Sequence, residues 1–319
     1  MTKRSKPSVL VLGSKYDFSC DYVVSRLRSH GVSYVRLNGE DISSWSFDWD
    51  PVARQLRGRR LDLEFRISPD QLTGVFTRRP TFWRVSTGDK SPKENLVRTH
   101  WATFLRSLMM FDGCTWINYP PATYRAEHKP IQLALAAKQG FKIPKTRVVN
   151  TSDPVEDFDS LGQVALKGVD TVRWKEESQE HFGYTVFTET EKMKEEDLSS
   201  MPVVIQKVLE GKQDLRVTVV GEKAWTAAIL SDGSGVKGDW RLRREEVEYV
   251  SFSLPRKVKS LCTDFVNNLG LVYGAIDLAR VDEEFFFLEI NPIGEWAWLE
   301  DRLDFPISEA ISTELHEPA

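Results

Sequence analysis

Three side chains toward the C-terminal end could hold a divalent cation: Asp277, Glu289 and Asn291. They stand in two β-prone runs, Gly274-Ala275-Ile276-Asp277-Leu278-Ala279-Arg280 and Phe285-Phe286-Phe287-Leu288-Glu289-Ile290-Asn291-Pro292, on either side of the acidic turn Val281-Asp282-Glu283-Glu284. The pattern predicts an antiparallel hairpin. With a three-residue loop at 282–284, Val281 pairs with Phe285, and the same register sets Asp277 opposite Glu289. Asn291 shares that face, because strand side chains alternate. Acidic residues on strands are usually a solvated face, but these carboxylates lie within apolar runs. A buried, unpaired carboxylate pair repels, so a cation is the simplest explanation. Hard oxygen donors suit Mg²⁺, which takes one or two carboxylates and leaves substrate phosphates to complete its octahedron. The hairpin reads as a magnesium-nucleotide site.

Cations occur upstream at places where a phosphate could meet them. Lys129 opens a helix with Pro130 at a tolerated early position. Val164-Ala165-Leu166-Lys167-Gly168 is an apolar strand ending in lysine, and the charged loop from Asp170 to Phe182, with Gly183, could close over a nucleotide. Pro202 to Gly211 reads as a strand running into a hinge. Its backbone could pair with an adenine ring, while Glu210 or Asp214 accepts from ribose hydroxyls. Arg216 lies on the next hairpin (Leu215–Val220, then Lys223–Ile229), and Asp239-Trp240-Arg241 offers another cation for phosphate oxygens. Gly74-Val75-Phe76-Thr77-Arg78-Arg79-Pro80 delivers two arginines to the end of a strand. They read either as surface charge or as a fork for a carboxylate or phosphate.

The elements that must carry these groups begin with Ser8 to Gly13, a short buried strand. A helix follows with Val23, Val24 and Leu27 on one stripe and Gly31 as its stop, then a strand from Val32 to Leu37, a β-α-β unit. Gly13 stands alone, so no dinucleotide-binding G-x-G-x-x-G is present. Leu56 to Ile67 alternates like a half-exposed hairpin, residues 93–111 form a long helix, and Thr115 to Asn118 is a strand before Pro120-Pro121. At 319 residues, 41% hydrophobic and 28% charged, the chain is ordinary for a globular enzyme of two or three lobes. A net charge of −4 gives no bulk attraction to nucleic acid or an anionic membrane. Three cysteines far apart (Cys20, Cys114, Cys262) argue against a disulfide framework or zinc site and fit a reducing cytosol. No signal peptide or membrane span is visible.

The ordered set Lys129, Lys167, Gln206-Lys207-Val208-Leu209, Asp214-Leu215-Arg216-Val217, Asp239-Trp240-Arg241, Asp277 and Glu289-Ile290-Asn291-Pro292 resembles the ATP-grasp ligases. The resemblance implies an α+β chain: an N-terminal β-α-β pre-ATP-grasp domain (1–123), a central subdomain (124–200) and a C-terminal subdomain with the Mg²⁺ site (201–319). It also implies that Lys129 and Lys167 contact ATP phosphates and that Gln206, Lys207, Val208 and Leu209 form the adenine hinge. Glu210 and Asp214 would lie at the nucleotide, and Asp277, Glu289 and Asn291 would bind magnesium. Arg216 and Arg241 would steady the transferring phosphoryl or the acyl phosphate, a step that needs positioning and charge neutralisation more than a protein nucleophile.

A finer resemblance, to the graspetide synthetases, rests on Asp17-Phe18-Ser19, Arg36-Leu37-Asn38-Gly39-Glu40-Asp41, Thr77-Arg78-Arg79-Pro80, Trp116-Ile117-Asn118 and Gly294-Glu295-Trp296-Ala297-Trp298-Leu299-Glu300. It implies a cytoplasmic, homodimeric macrocyclase whose partner is a ribosomal precursor peptide with leader and core. Core Asp or Glu side chains are activated, and Ser, Thr or Lys side chains attack them to form ω-esters or ω-amides. Arg78 and Arg79 are then candidate substrate contacts, and Trp83, Trp101 and Trp116 could line a leader groove, although such aromatics are more often core. Two other readings stand beside it: a different ATP-grasp carboxylate–amine ligase, and a silent scaffold, against which the desolvated carboxylate pair argues.

Overall fold

The computed structural model describes residues 3–78, 91–151, 158, 162–169, 173–176, 179–182, 185–193, 198–243 and 245–317, with 173–176 and 179–182 by their backbone alone. The chain opens with β1 (Lys3–Ser5), β2 (Val9–Gly13), α1 (Phe18–Ser29), β3 (Tyr34–Asn38), β4 (Ser46–Asp50), β5 (Gln55–Arg60), β6 (Leu63–Ile67) and β7 (Gly74–Thr77). Next come α2 (Pro92–Ser107), β8 (Thr115–Ile117), α3 (Pro120–Ala126), α4 (Lys129–Gln139), β9 (Thr146–Val149) and β10 (Gln163–Gly168). The hairpin β11 (Arg173–Glu176) and β12 (Gln179–Phe182), β13 (Val186–Glu189), the one-turn α5 (Thr190–Met193) and β14 (Val203–Lys207) follow. The chain continues through β15 (Gln213–Val220), β16 (Lys223–Ser231), β17 (Ser234–Gly235), β18 (Glu248–Ser251), α6 (Arg256–Asn268), β19 (Tyr273–Val281), β20 (Glu284–Asn291), α7 (Ala297–Leu303) and α8 (Ile307–His316).

The first sheet, ordered β3-β2-β7-β8, is wholly parallel. A parallel sheet needs cover on both faces, and β2 is apolar throughout for that reason. Val9 and Val11 pack toward α1 and α8, while Leu10 and Leu12 face a second core with Phe65, Leu105 and Phe111. α1 begins where the Asp17 carboxylate accepts from the Cys20 N–H at 3.1 Å, and it ends before Gly31 at φ 68°. The long helix expected over 93–111 is α2 followed by a 3₁₀ turn at 108–110, and a Ser91/Glu94 capping box starts it. Its Trp101 and Phe104 lie 5.9 and 4.9 Å from Phe47 on the small sheet β1-β6-β5-β4.

The antiparallel sheet β13-β10-β14-β9 carries Lys167 at the end of β10. The largest sheet, β17-β16-β15-β19-β20 with β18 on β16, carries Arg216, Asp277 and Glu289. α4 and α6 cover one of its faces through Ala136, Phe265 and Val266, joined by Phe141 just beyond α4. The cores cross the divisions at 123 and 200. β14 pairs with β9 and β10, and α7 and α8 return to the first sheet, where Ile307, Ile311 and Leu315 share a core with Val9, Val11 and Phe76. Gly74 permits that return, because a Cβ there would lie 2.4 Å from the Leu315 carbonyl oxygen.

Asn118, 2% exposed just beyond β8, joins the first lobe to the largest sheet. Its Nδ2 donates to the carbonyls of Tyr273 (2.8 Å) and Pro292 (2.7 Å), and its Oδ1 accepts from the N–H groups of Val272 and Tyr273, both at 2.9 Å. All four of its bonds hold the start of β19 and the end of β20. Asn118→Ala would leave four backbone groups unpaired, for an expected loss of about 3 kcal/mol. Urea unfolding measures this; a midpoint unchanged from wild type would remove Asn118 from that role.

Candidate active site

The hairpin of β19 and β20 sets Asp277 opposite Glu289 as expected, but by another route. The turn has two residues, Asp282 and Glu283, with Asp282 at φ 53°, so Val281 pairs with Glu284 and not with Phe285. The ladder runs one residue out of the expected register as far as Leu278 with Phe287. A bulge then leaves Leu288 as the extra residue of β20, and the pairs become Asp277–Glu289, Ile276–Ile290 and Ala275–Asn291. Alternation alone could not disclose two offsets that cancel.

Arg216 on β15 is paired across the ladder with Asp277, so Arg216, Asp277 and Glu289 form one row over three adjacent strands. Arg216 Nη1 donates to Asp277 Oδ1 at 2.9 Å. Glu289 lies 3.5 Å from Lys129 Nζ and 3.6 Å from Arg241 Nη1. The carboxylates are therefore not an unpaired couple, and the repulsion that pointed to a metal is met by the protein's own cations. Arg241 is held by a two-point bond to Asp239, Nε to Oδ1 at 2.9 Å and Nη2 to Oδ2 at 2.7 Å. Lys129 stands at the start of α4, and three residues on, the buried Gln132 side chain donates to the Ile290 carbonyl (2.8 Å) and accepts from its N–H (3.1 Å). That amide fixes α4 to β20 between Glu289 and Asn291. A glutamine one turn after Lys129 among apolar neighbours was the signal for it.

Burial pushes the Glu289 carboxyl upward, but Lys129, Arg241 and Lys167 outweigh it and hold the group down to about 2. Burial and the neighbouring Glu289 raise Asp277 against the pull of Arg216. Lys167 is lowered, first by burial and then by Lys129, Arg241 and Lys212, with Glu289 opposing. Arg216, Arg241, Lys129 and Lys167 thus face Asp277, Glu289 and Asp239, an excess of fixed positive charge suited to an anion.

The remaining expected residues divide. Gln206 is 3% exposed; its Oε1 accepts from Lys167 Nζ at 2.7 Å and its Nε2 donates to Thr146 Oγ1 at 3.0 Å, so its side chain orients the lysine. Lys207 ends β14 with its N–H donating to the Lys145 carbonyl at 2.8 Å; Val208 and Leu209 follow half-buried, and Glu210 is exposed. Asp214 is buried and engaged by Lys212, a partner sequence reasoning missed. Asn291 Oδ1 accepts from the Ile293 N–H at 3.1 Å. Arg78 is not at the surface to meet a substrate. It is 5% exposed and captures the protein's own Asp17 and Glu295 carboxylates, because its strand ends beneath the turn at 293–295. Arg79 and Trp83 lie outside the described residues, as do the side chains of 170–184. Trp116 is buried with Nε1 donating to the Phe111 carbonyl at 2.8 Å, and the half-buried Trp101 packs on Phe47 at the edge of the same core.

Among the described residues no group of three His, Cys, Asp or Glu could hold a metal by itself. Asp277 and Glu289, with the Asn291 amide beside them, nonetheless fit Mg²⁺ that arrives with phosphate oxygens, since the surrounding cations favour the phosphate.

The architecture is the ATP-grasp fold, in the arrangement of ligases that act on peptides. The chain is similar to the macrocyclase MdnC of Microcystis aeruginosa, solved with its precursor peptide MdnA, at 25% identity and a TM-score of 0.83 over 98% of this chain and 100% of that one. It is also similar to a RiPP-associated ATP-grasp ligase of Chryseobacterium gregarium bound to ADP with a leader and core peptide, at 25% identity and 0.79 over 99% and 97%. The ligase PsnB, solved with a minimal precursor, Mg and ADP, shares the fold at 20% identity and a TM-score of 0.75 over 99% and 98%. No protein-family model matches the chain, and no curated protein matches it in sequence. No helix among the described residues is long and apolar enough to cross a membrane.

A site that relies on phosphate oxygens should hold metal poorly without nucleotide. Titrating nucleotide-free protein into Mn²⁺ should leave the free-ion EPR signal at its protein-free intensity. A saturable loss of signal would mean that the chain alone supplies the ligands.

Proposed function

We propose that the protein is an ATP-dependent peptide macrocyclase of the graspetide-synthetase kind. It would phosphorylate Asp or Glu side chains of a ribosomal precursor and join them to Ser, Thr or Lys side chains of the same peptide. The observation that carries the reading is the set of cations Lys129, Arg241, Arg216 and Lys167 around Asp277 and Glu289, in a chain similar over nearly its whole length to a macrocyclase solved with its precursor peptide.

In this reading Lys129 and Lys167 bind the ATP phosphates. The backbone at Gln206, Lys207, Val208 and Leu209 meets the adenine, and Glu210 and Asp214 lie at the ribose side. Asp277, Glu289 and Asn291 hold Mg²⁺, which when bound neutralises charge on the phosphates. Arg216 and Arg241 orient the transferring phosphoryl group and then the acyl phosphate on the peptide. Each is already fixed by a carboxylate, so little reorganisation accompanies the change in charge. No side chain need become covalently attached, because the peptide hydroxyl or amine displaces phosphate directly. The division of labour is residues 1–123 for leader docking, 124–200 and 201–319 for the nucleotide, in a cytoplasmic homodimer.

Co-expression with each short reading frame beside the gene, read by intact mass spectrometry, tests the proposal. A peptide lighter by one water per link is expected, and hydrolysis in mild base separates esters from amides. An unmodified peptide, with ADP released only when free amino acids are supplied, would make the protein a simple carboxylate–amine ligase. Asp277→Asn, which keeps a hydrogen-bond acceptor for Arg216, should lower ATP turnover by about a hundredfold or more while the circular-dichroism spectrum stays that of the folded wild type. Wild-type turnover in this variant would remove Asp277 from the site.

A further inference from the structure

Arg78 belongs to the first lobe, yet almost everything it touches follows the carboxylate hairpin. Its Nη1 donates to the carbonyls of Ile293 (2.6 Å) and Gly294 (3.0 Å), its Nη2 to Glu295 Oε2 (2.8 Å), and its Nε to Asp17 Oδ2 (3.3 Å). Glu295 is gripped further, accepting from Ser19 Oγ and from the N–H groups of Trp296 and Ala297, both at 3.2 Å. The Tyr273 hydroxyl donates to the Gly294 carbonyl at 2.8 Å. The turn at 293–295 is thus tied down from the first lobe and from β19 together.

The other side of this turn lies on Arg216. Arg216 Nη2 points to the Glu295 carbonyl at 3.4 Å, and a Cβ added at Gly294 would come within 2.6 Å of Nη2 and 2.7 Å of Ala275 Cβ. The guanidinium therefore sits in a slot with Asp277 on one side and the bare Gly294 backbone on the other. Its buried Nε has no hydrogen-bond partner among the described residues, so nothing there at that nitrogen fixes the plane of the group. The slot walls do.

We infer that Arg78 is a positioning residue for Arg216, acting between lobes through the turn 293–295, and that glycine at 294 is the spacer this requires. The kinetic consequence rests on the proposed role of Arg216 at the transferring phosphoryl group; the geometric claim does not. A guanidinium held on both sides rotates slowly about its Cζ–N bonds, which arginine-selective ¹⁵N NMR reads directly, with Arg216→Lys assigning the resonance.

Expected in Arg78→Lys and in Gly294→Ala is a change from separate, slowly exchanging Nη signals of Arg216 to averaged ones. In the same variants kcat for ATP consumption should fall about tenfold while KM for ATP stays within about twofold. Gly294→Ala leaves the Arg78 side chain in place, so it reports even if Arg78→Lys folds poorly. Unchanged Arg216 resonances in both variants would overturn the inference. Altered resonances in a protein whose wild type consumes no ATP with any peptide would uphold it and sink the macrocyclase reading instead.

Discussion

The site depends on charge balance in a half-buried row. Asp277 and Glu289 stand side by side on neighbouring strands, and two carboxylates so placed cannot both stay ionised in a protein interior without compensation. The balance comes from four elements: Arg216 from β15, Lys129 from the start of α4, Arg241 from the segment before β18, and Lys167 across the gap from β10. Three of the four cations are restrained by something other than the carboxylates' shared field, Arg241 by Asp239, Lys167 by Gln206, and Lys129 by the helix that Gln132 fastens to β20. A set of charges held this rigidly changes little when an anion arrives, which is what electrostatic catalysis asks of a protein.

This balance explains why the largest sheet cannot be treated apart from its neighbours. A row on three strands supplies only part of the charge; the rest must be brought in by α4 and by the antiparallel sheet carrying Lys167. The first lobe adds no charge to the row and contributes geometry instead. Asn118 holds both strands of the hairpin at the end remote from its turn, and Arg78 holds the segment immediately after it. The carboxylate hairpin is thereby fastened where it leaves the sheet, while its turn at 282–283 is left to the surface.

Much of this was legible in the sequence. Apolar runs interrupted by Asp277 and Glu289 gave the hairpin and the shared face, and Lys129, Lys167, Arg216 and Arg241, singled out in the chain as cations, are the ones the fold gathers around that pair. Two kinds of information were not legible. The first is compensation: a bulge at Leu288 cancels a short turn, and no periodicity records it. The second is partnership over long separations. Arg78 looks like an arginine delivered to a ligand, and only the fold reveals Ile293, Gly294 and Glu295 already in place around it. The expectation of an unpaired carboxylate couple failed for the same reason, since Lys129 and Arg241 are far from Glu289 in the chain.

α8 carries a consequence for the order in which the molecule is made. Ile307, Ala310, Ile311 and Leu315 fill one face of the parallel sheet, against Val9, Val11 and Phe76, and Thr73 Oγ1 bonds the Leu315 carbonyl at 2.9 Å. During synthesis β2 and β7 leave the ribosome long before α8 exists, so that face is only half covered, by α1, while the intervening sheets are translated. The lobe that emerges first is then the last to complete its core, against the usual course in which N-terminal domains fold as they appear. Until α8 docks, α1 alone shields that face, and the part of it that Ile307, Ile311 and Leu315 will cover is an apolar β-surface of the kind on which chaperones act.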